Sequence, residues 1–504
     1  MRMTIYNINF GIGWASSGVE YAQAYRAKLL RHINEQTKFI FLDFIQSENI
    51  QTLTHNIGFK DHEVIWLYQF FSDIPIAPTT YTIDDIEHDL GHEVSRRERK
   101  GKIVRLYFNE NASFVTCYLQ NEQKDIVDRA EFVINSMLVR KDFYNYTRVF
   151  SEYYAPAENK AKLYMRQFYN EDGSIAYNEY IDGDNRVYVF EDAILHNKEE
   201  FIAYFLHRLN LTRKDIVILD RASNIGQAVM QYKGESKVGV VIHADHYSNN
   251  MISEQHILWN NYYEYQFSKA KYIDFFITAT DIQNHLLCRQ FDQYEGYHPR
   301  VYTIPVGSID NLSYPNVARK PYAMISASRL ASEKHIDWLV KAVIVAKREV
   351  PELTFDIYGE GSEKTRLRQI INEHHAESYI RILGHVNLEK IYANYELFLS
   401  ASTSEGFGLT LMEAVGSGLG MIGLNVNYGN PTFIRDGENG YLVPYNSNDD
   451  SVDNVVSKLA DAIVKYFKNG PNKPHEISYD VAQQFMTQDI ILKWERLIRE
   501  VLHD

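Results

Sequence analysis

The stretch FLSASTSEGFGLTLMEAVGSG, residues 398–418, changes character twice along its length. Its apolar start predicts a buried strand that ends near Ser402. The glycine-containing segment 403–408 predicts a loop, and LTLMEAV predicts a helix that begins near Leu409 and ends at one of the glycines that follow. A strand, a short loop and a helix in this order form the repeating unit of a doubly wound α/β domain.

Two acids in this stretch are candidate ligand-binding residues, because open α/β sheets bind ligands at the carboxyl ends of their strands. Gly406 and Gly408 let the loop backbone approach a ligand closely. The N-terminus of the next helix offers unpaired N–H groups and a partial positive charge, which suits phosphate. Glu405 then lies beneath a sugar, and Glu413 can accept hydrogen bonds from a ribose diol. The spacing alone is weak, since two surface acids eight residues apart are common.

A basic pair follows another strand, in the segment SASRLASEKHID. Arg329 and Lys334 lie near the predicted start of a helix, where the helix dipole disfavours positive charge. Cations held at such a place indicate a bound anion, and two fixed cations can stabilise a leaving diphosphate without a metal. The alternative is an exposed basic pair at a helix start.

The N-terminal strand IYNINF leads into the loop GIGWASSGVE. Gly11, Gly13 and Gly18 loosen this loop, while Ser16 and Ser17 can cap the next helix and donate to an oxygen ligand. A dinucleotide fingerprint needs glycine at position 16, and the Lys-Ser/Thr pair of a phosphate-binding P-loop is absent from the segment. The loop therefore favours a nucleotide-sugar enzyme over an NAD enzyme or an NTPase.

Two histidines and an acid pair need weighing against structural alternatives. His243 ends the apolar run VGVVIHAD at a predicted carboxyl edge, where a ligand role and a structural role are about equally expected; His246 is a weaker candidate. Asp182 and Asp184 flank Gly183, and the two acids together resemble a metal-binding acid pair. Asp and Gly are also the residues of a hairpin turn, and the turn is the favoured interpretation.

The composition excludes several classes of protein. A chain of 504 residues with 45% hydrophobic and 23% charged residues can form two to four globular domains. No stretch of about 18 or more apolar residues occurs in the sequence, so we expect no membrane-spanning helix. The N-terminus lacks a charged segment followed by a long apolar run, so we expect no signal peptide. Two cysteines, Cys117 and Cys288, do not form a disulfide framework, which fits a cytoplasmic protein. The net charge of −14 argues weakly against nucleic-acid binding.

The order of patterns predicts an α/β protein with an insertion. Residues 1–75 and 193–319 have α/β texture and form a first Rossmann-like domain, and residues 320–504 form a second one with C-terminal helices. Between them, residues 76–192 contain short strand-like runs joined by Asn, Asp and Gly connectors, which is typical of an antiparallel β-meander. Two Rossmann-like domains that face each other would hold a ligand between them.

The string EGFGL with Glu405 and Glu413 resembles the Glu-x7-Glu motif of GT4-like retaining glycosyltransferases, which have the GT-B fold. The spacing of Arg329 and Lys334 resembles the Arg-x4-Lys element of the same family, although Ser328 and His335 occupy the positions of its usual glycines. The resemblance implies that Glu405 contacts the donor sugar, that Glu413 contacts the ribose, and that the two cations stabilise the diphosphate.

The same resemblance assigns roles to further residues. It implies that His243 contacts the donor sugar and acts with the catalytic group Glu405, Arg329 and Lys334. The remaining donor-binding residues that it implies are Ser16, Ser17, Gly18, Val19, Gly384, His385, Gly406, Phe407, Gly408 and Leu409. It implies no metal cofactor.

Taken over the whole chain, the segment MTIYNINFGIGWASSGVEYAQAYRA, the inserted meander and EGFGLTLMEA resemble the GtfA family of the accessory Sec system. The resemblance implies transfer of N-acetylglucosamine from UDP-N-acetylglucosamine to Ser/Thr of a serine-rich repeat adhesin. It further implies a related partner chain, GtfB, and a cytoplasmic location that allows peripheral contact with the inner face of the membrane.

Two other functions stay open from the residues. One is a teichoic acid glucosyltransferase, because a related family with a similar insertion glucosylates poly(glycerol phosphate). The other is a non-catalytic partner subunit that only binds an acceptor. The presence of both acids and both cations favours an enzyme.

Overall fold

The computed structural model of the chain describes residues 3–13, 18–33, 35–108, 113–158 and 160–503, without the side chains of 249 and 250. Two compact units divide it, Met1–Gly239 and Val240–Asp504. In the described ranges, no helix is both long and apolar enough to cross a membrane.

The first unit contains an α/β part and an antiparallel sheet. The strands of the α/β part are β1 Thr4–Asn9, β2 Gln36–Phe41, β3 Val64–Trp66, β14 Ile216–Leu219 and β15 Lys237–Ile242, the last of which runs across the unit boundary. The strands of the antiparallel sheet are β4 Arg96–Lys100, β5 Ile103–Phe108, β6 Ser113–Leu119, β7 Val127–Ile134, β8 Met137–Tyr144, β9 Arg148–Ala157, β10 Lys160–Tyr169, β11 Ile175–Asp182, β12 Asn185–Val189 and β13 Ile194–Leu195. The helices are α1 Gly18–Ile33, α2 Ile50–Asn56, α3 Ile83–Leu90, α4 Lys198–Arg208 and α5 Gly226–Tyr232.

The parallel strands of this unit form as their apolar runs predict. Strand β1 pairs in parallel with β2 and β14, and β2 also pairs with β3. Strand β2 ends at Phe41. The chain turns there because the amides of Leu42 and Asp43 both donate to the Phe10 carbonyl at 2.7 Å.

The meander is confirmed as one ten-stranded sheet with the sequential order β4 to β13. Helix α3 precedes it and buries Ile83 and Ile86 against Val104, Leu106 and other side chains of the sheet. The predicted turn at Gly183 joins β11 and β12 with φ of 59°, a left-handed conformation that favours glycine.

An aromatic cluster joins the sheet to the α/β part of the first unit. The Arg166 guanidinium lies 3.7 Å from the ring centre of Phe44 and pairs with Glu152 at 2.9 Å and Glu179 at 3.0 Å. Rings from both parts pack on Phe44 and on one another, including Trp66, Tyr68, Phe150, Phe168, Tyr177 and Phe201. The three charged residues all belong to the sheet, on β9, β10 and β11. The links to the α/β part are the contact of Arg166 with Phe44 and the Gln46 side-chain amide, which donates to Glu152 at 2.7 Å.

The second unit is a parallel α/β domain preceded by shorter elements. Its strands are β16 Tyr247–Ile252, β17 Ile257–Trp259, β18 Phe275–Thr278, β19 Val301–Thr303, β20 Ala323–Ala327, β21 Thr354–Tyr358, β22 Ile380–Gly384, β23 Leu397–Ser400, β24 Gly420–Leu424 and β25 Gly440–Val443. Its helices are α6 Glu264–Ser268, α7 Asp281–Tyr294, α8 Ile336–Ala346, α9 Lys364–Glu373, α10 Leu409–Gly416, α11 Gly429–Phe433, α12 Val452–Asn469, α13 Pro474–Gln483 and α14 Thr487–His503.

The order β22-β21-β20-β23-β24-β25 gives a six-stranded parallel sheet whose strand order reverses at β20. Strands leaving on either side of such a switch point splay apart and leave a crevice at their carboxyl ends. Strand β23 and helix α10 flank this crevice with the loop that carries Glu405. The fold therefore presents the stretch 398–418 where an α/β sheet binds its ligand.

Candidate functional site

Glu405 is anchored through its own backbone to the segment that follows β24. Its N–H donates to the Asn427 carbonyl at 3.3 Å, and its carbonyl accepts from the N–H groups of Tyr428 and Gly429, each at 2.8 Å. A side chain at Gly429 would collide with the Phe407 carbonyl and with Glu405 itself. The glycine therefore permits the close approach that holds Glu405 in place.

The Glu405 carboxylate pairs with Lys334, whose Nζ lies 2.6 Å from Oε2. Both side chains are largely buried, at 17% and 19% exposure. The 3-10 segment that carries Lys334 is tied to the same loop, because the Thr403 N–H donates to the Glu333 carbonyl at 3.4 Å. The structure thus brings together an acid and a cation that lie 71 residues apart in the sequence.

Arg329 follows β20 and points away into solvent, with 70% of its side chain exposed. It pairs with Glu333 at 3.2 Å, an exposed contact of the kind that contributes little to stability. The structure therefore places Arg329 beside the segment of Lys334 and leaves its guanidinium on the surface.

His335 occupies a position that favours glycine. Its φ of 44° and ψ of 42° are left-handed, and its ring stacks on Trp338 with 3.7 Å between ring centres. The stacking holds a conformation that a side chain rarely adopts, so the turn after Lys334 keeps its geometry without the glycine.

His243 follows β15 and packs against the Glu405 loop through its backbone. A Cβ on Gly406 would lie 2.5 Å from the His243 carbonyl oxygen, so this approach requires glycine at position 406. The amides of His243 and Ala244 both donate to the Tyr263 hydroxyl, at 2.9 and 3.1 Å. The structure thus places the backbone of His243 against the Glu405 loop.

Asp245 links the same strand end to the loop. The Ser404 hydroxyl donates to Asp245 Oδ2 at 2.6 Å. Burial is the main cause that raises the pKa of Asp245, while the Ser404 hydrogen bond lowers it and the Glu405 charge raises it further. Two segments far apart in the sequence are therefore joined next to Glu405.

His246 is a buried positioning residue and not a surface ligand. Its Nε2 lies 2.7 Å from Gln290 Oε1, and its Nδ1 lies 2.9 Å from the Tyr428 hydroxyl. Burial lowers the pKa of His246 to about 4, so the ring is neutral at pH 7. The neutral ring donates from Nε2 to Gln290 and accepts at Nδ1 from Tyr428. Since Tyr428 also binds the Glu405 backbone, this chain of contacts supports the loop.

Helix α10 begins directly after the loop, as the sequence predicted. Gly408 precedes it with φ of 88°, and its first turn contains no acidic residue to neutralise the exposed N–H groups. Phe407 is 5% exposed and packs on Phe433 and Phe485, so its side chain belongs to the core. Leu409 packs against the same core. These two residues therefore offer a ligand their backbone amides and not their apolar side chains.

Glu413 lies on α10, where the Tyr392 hydroxyl donates to its Oε2 at 3.1 Å. Burial raises the pKa of this carboxyl to about 7, and the Tyr392 hydrogen bond opposes the shift. A carboxyl held at this pKa is partly protonated near neutral pH. It gains from any ligand that donates hydrogen bonds to its charged form.

Gly384 and His385 lie at the end of β22. The Gly384 carbonyl accepts from the Gly359 N–H at 2.8 Å, and Gly384 itself has φ of 79°. His385 is exposed. Both stand at the carboxyl edge of the six-stranded sheet, the edge to which β23 also leads.

The N-terminal loop can be assigned only in part. Ser16 and Ser17 lie outside the described residues, and Gly18 and Val19 begin helix α1 in the first unit. Across the described segments, no group of three or more His, Cys, Asp or Glu residues could hold a metal ion. Cys117 and Cys288 are free thiols, the first of them buried.

Sequence patterns did not indicate several residues that shape this site. Asp245, Tyr263, Tyr392, Tyr428 and Gln290 act on it through contacts between distant segments. The run NVNYGN around Tyr428 carries turn residues and no motif, so only the aromatic inside a polar loop hinted at a special position.

Two family models match separate parts of the chain. Residues 96–192 match the GtfA extended beta-sheet domain, and residues 313–478 match the family Glycosyl transferases group 1. The chain is 54% identical over 504 residues to the UDP-N-acetylglucosamine–peptide N-acetylglucosaminyltransferase GtfA subunit of Streptococcus pneumoniae serotype 4, with 100% of each chain covered.

Two solved structures are similar over nearly the whole length. The pneumococcal O-GlcNAc transferase GtfA in complex with UDP and GlcNAc matches with a TM-score of 0.94 and 53% identity, covering 100% of both chains. A GtfA/B complex matches with a TM-score of 0.96 and 52% identity, covering 99% of this chain and 100% of that one. These comparisons confirm the α/β fold class, a GT-B fold with an inserted antiparallel sheet.

We predict that Tyr428→Phe destabilises the protein by about 1–3 kcal/mol, because it leaves the buried Nδ1 of His246 without a donor. The free energy of unfolding from urea denaturation measures this loss. Tyr314→Phe is the matched control, since Tyr314 is 63% exposed. Equal stability of the two variants would contradict the proposed support of the Glu405 loop.

Proposed function

Because the chain belongs to the family of GtfA subunits of UDP-N-acetylglucosamine–peptide N-acetylglucosaminyltransferases, we propose that it transfers N-acetylglucosamine from UDP-N-acetylglucosamine to Ser/Thr of a serine-rich repeat adhesin. The chain is a glycosyltransferase, and its donor site is built around Glu405. The observation that supports this site most directly is the 2.6 Å contact between Lys334 and Glu405 beside the N-terminus of α10.

The donor lies, in this proposal, along the carboxyl edge of the six-stranded sheet. Glu405 and His243 contact the sugar, and the amides of Gly406, Phe407, Gly408 and Leu409 face the phosphates. Glu413 accepts hydrogen bonds from the ribose diol, and Gly384 and His385 lie beside the base and diphosphate. The family resemblance also assigns donor binding to Ser16, Ser17, Gly18 and Val19 of the N-terminal loop.

The cations carry the leaving charge. As the bond between the sugar and the diphosphate breaks, Lys334 and Arg329 stabilise the negative charge that develops on the phosphate. Lys334 is already fixed by Glu405, while the exposed pair of Arg329 with Glu333 is weak enough to be exchanged for a phosphate. Two cations from the protein can thus take the part that a divalent metal plays in other transferases.

The reaction retains the configuration of the anomeric carbon. The acceptor hydroxyl attacks from the face that the diphosphate leaves, and a new carbon–oxygen bond forms as the bond to UDP breaks. The departing phosphate oxygen takes the proton of the hydroxyl group. Glu405 holds the sugar so that its anomeric carbon stays between the two oxygens.

The acceptor and the partner bind through the first unit and its ten-stranded sheet. The similarity to a GtfA/B complex supports a related partner chain, and the match of residues 96–192 to an extended beta-sheet domain supports a binding role for the sheet. The enzyme modifies the adhesin in the cytoplasm, before export by the accessory Sec system. It makes peripheral contact with the inner face of the cell membrane.

Transfer to a Ser-rich peptide in the presence of a GtfB-like partner tests the function. We expect turnover with UDP-N-acetylglucosamine, and we expect Glu405→Gln to lower kcat by a factor on the order of 10²–10³, the usual cost of losing one electrostatic contact to the transition state. Glu438→Gln, an exposed acid of the same unit, is the matched control and keeps its turnover.

Other outcomes identify the alternatives. Turnover of UDP-glucose with poly(glycerol phosphate) in place of the peptide would indicate a teichoic acid glucosyltransferase. Absence of donor turnover with either acceptor would indicate a non-catalytic partner subunit. Unchanged transfer by Glu405→Gln would remove this carboxylate from the mechanism.

Chelation tests the proposed metal independence. Because Lys334 and Arg329 supply the positive charge at the diphosphate, transfer is expected to continue at the same rate in excess EDTA. A radiolabelled-sugar assay with and without chelator measures this. Loss of transfer in EDTA and its recovery with Mn²⁺ would show that a metal supplies that charge.

The pH dependence of donor use tests Glu413. Since burial raises its pKa to about 7, kcat/KM for UDP-N-acetylglucosamine is expected to fall as the pH drops below about 7, because the protonated carboxyl accepts poorly from the ribose. Glu413→Gln is expected to remove this acid limb. An identical pH profile in the variant would contradict the assignment.

The folding stability of the protein without bound donor provides an independent test of the Glu413 carboxyl group. A raised acid pKa gives stability that is fully present below its ordinary value of 4.5 and is lost as the pH rises through about 7. Glu413→Gln should therefore gain stability relative to the unmodified protein as the pH rises across this window. Thermal denaturation at several pH values measures the difference.

A further inference from the structure

A cavity of about 240 Å³ lies within the first unit, between the loop after β2 and the antiparallel sheet. Its walls include Trp66, Tyr144 and Phe150, and its polar lining includes Glu48 and Asp128. Gln46 and Ser47 also line it and are exposed, so the cavity opens to solvent at this loop. Its residues are all from the first unit, whereas Lys334, Glu405 and Glu413 belong to the second.

The register of the sheet builds one wall. Tyr118 pairs with Arg129, Arg129 with Phe143, and Phe143 with Phe150. Residues opposite each other in antiparallel strands lie on the same face, so these four side chains form a row across β6 to β9. The row puts flat aromatic surface at the cavity.

Two β-bulges add side chains that regular alternation would send to the other face. Between β6 and β7 the pairing passes from Tyr118 with Arg129 to Leu119 with Val127, which leaves Asp128 as the extra residue. A second bulge makes Val149 the extra residue of β9. Bulges re-aim side chains and are frequent beside binding sites. Here they let Asp128 and Arg129, which are sequence neighbours, line the same cavity.

Glu48 and Asp128 each have one carboxylate oxygen that can still accept a hydrogen bond. Glu48 Oε2 and Asp128 Oδ1 are buried, and neither has a hydrogen-bond partner in the described part of the chain. Burial, followed by the charge of Asp128, raises the pKa of Glu48 to about 6. Burial also raises the pKa of Asp128. An acceptor buried without a donor is costly, so a ligand that brings donors here is favoured.

The aromatic residues present their ring faces to the cavity, because their polar groups already form hydrogen bonds within the protein. The Trp66 indole N–H donates to the Asp43 carbonyl at 2.9 Å, and the Tyr144 hydroxyl donates to Asp142 at 3.2 Å. A ligand with hydroxyl donors on its edge and C–H groups on its flat face therefore matches the lining. At about 240 Å³ the cavity is smaller than the roughly 300–1,000 Å³ of sites for drug-sized ligands, so one ring fills it.

We propose that this cavity is a monosaccharide-binding site of the first unit, in which Glu48 and Asp128 accept hydrogen bonds from sugar hydroxyls and the aromatic row supports the ring. A divalent cation fits less well, because Ca²⁺ takes six to eight oxygen ligands and the cavity offers two carboxylates. Arg129 and Lys102 already offset part of the negative charge, which favours a neutral polyol over an ammonium group.

The identity of the sugar as N-acetylglucosamine rests on the proposed function. If the proposed function holds, the site binds an N-acetylglucosamine residue that is already attached to the acceptor. The partly modified acceptor then stays bound while its next hydroxyl group reaches the donor. The site would make the enzyme prefer acceptors that carry sugar.

Calorimetric titration with the methyl glycoside of N-acetylglucosamine, at saturating UDP, tests the site on the full chain. We expect Asp128→Asn and Glu48→Gln each to weaken binding roughly tenfold or more, as expected for loss of a hydrogen bond to a charged group. Asp125→Asn, an exposed acid three residues before Asp128, is the matched control and binds as the unmodified protein does. Thermal denaturation confirms that the variants are folded, and two independent substitutions keep the test meaningful if one of them is not.

Donor hydrolysis separates this site from the proposed function. Asp128→Asn and Glu48→Gln are expected to hydrolyse UDP-N-acetylglucosamine at the unmodified rate. If the chain transfers no sugar but glycoside binding still depends on Asp128 and Glu48, the site stands and the proposed function fails. Absence of glycoside binding, equal binding by both variants, or binding of methylamine in place of the sugar would overturn the site.

Discussion

The candidate donor site depends on the hydrogen bonds between the backbone of Glu405 and residues 427–429. These bonds place the carboxylate without using it, so its oxygens stay available for Lys334 and for a ligand. They also require glycine at 406 and 429, because a Cβ at either position would meet a carbonyl group. The position of the acid is thus set by backbone packing, which is far stiffer than a side-chain rotamer.

Charge at this site is arranged before any ligand arrives. Lys334 is held against Glu405 in a partly buried pair, while Glu413 is kept near its titration point by burial. The buried Glu413 carboxyl carries a cost in the unliganded protein that hydrogen bonds from a ribose would relieve. A site of this kind stores part of its binding free energy as incompletely satisfied charge.

Buried charge also shapes the antiparallel sheet of the first unit. Arg166 is held within the sheet by Glu152 and Glu179, and its guanidinium lies on the Phe44 ring of the α/β part, so the junction depends on a charged group placed among aromatic rings. Next to this fixed junction, bulges at Asp128 and Val149 turn side chains into a cavity. The junction and the cavity therefore share strand β9.

The sequence by itself determined the strands, the antiparallel insertion and helix α10, and it singled out the candidate acids and cations, because periodicity, turn residues and short motifs act over a few neighbouring positions. Tertiary structure alone decided that Lys334 meets Glu405 while Arg329 stays exposed, and that His246 is buried between Gln290 and Tyr428. It also turned Phe407 from a candidate ligand residue into a core residue. These outcomes depend on packing between segments tens to hundreds of residues apart, which leaves no local pattern to find.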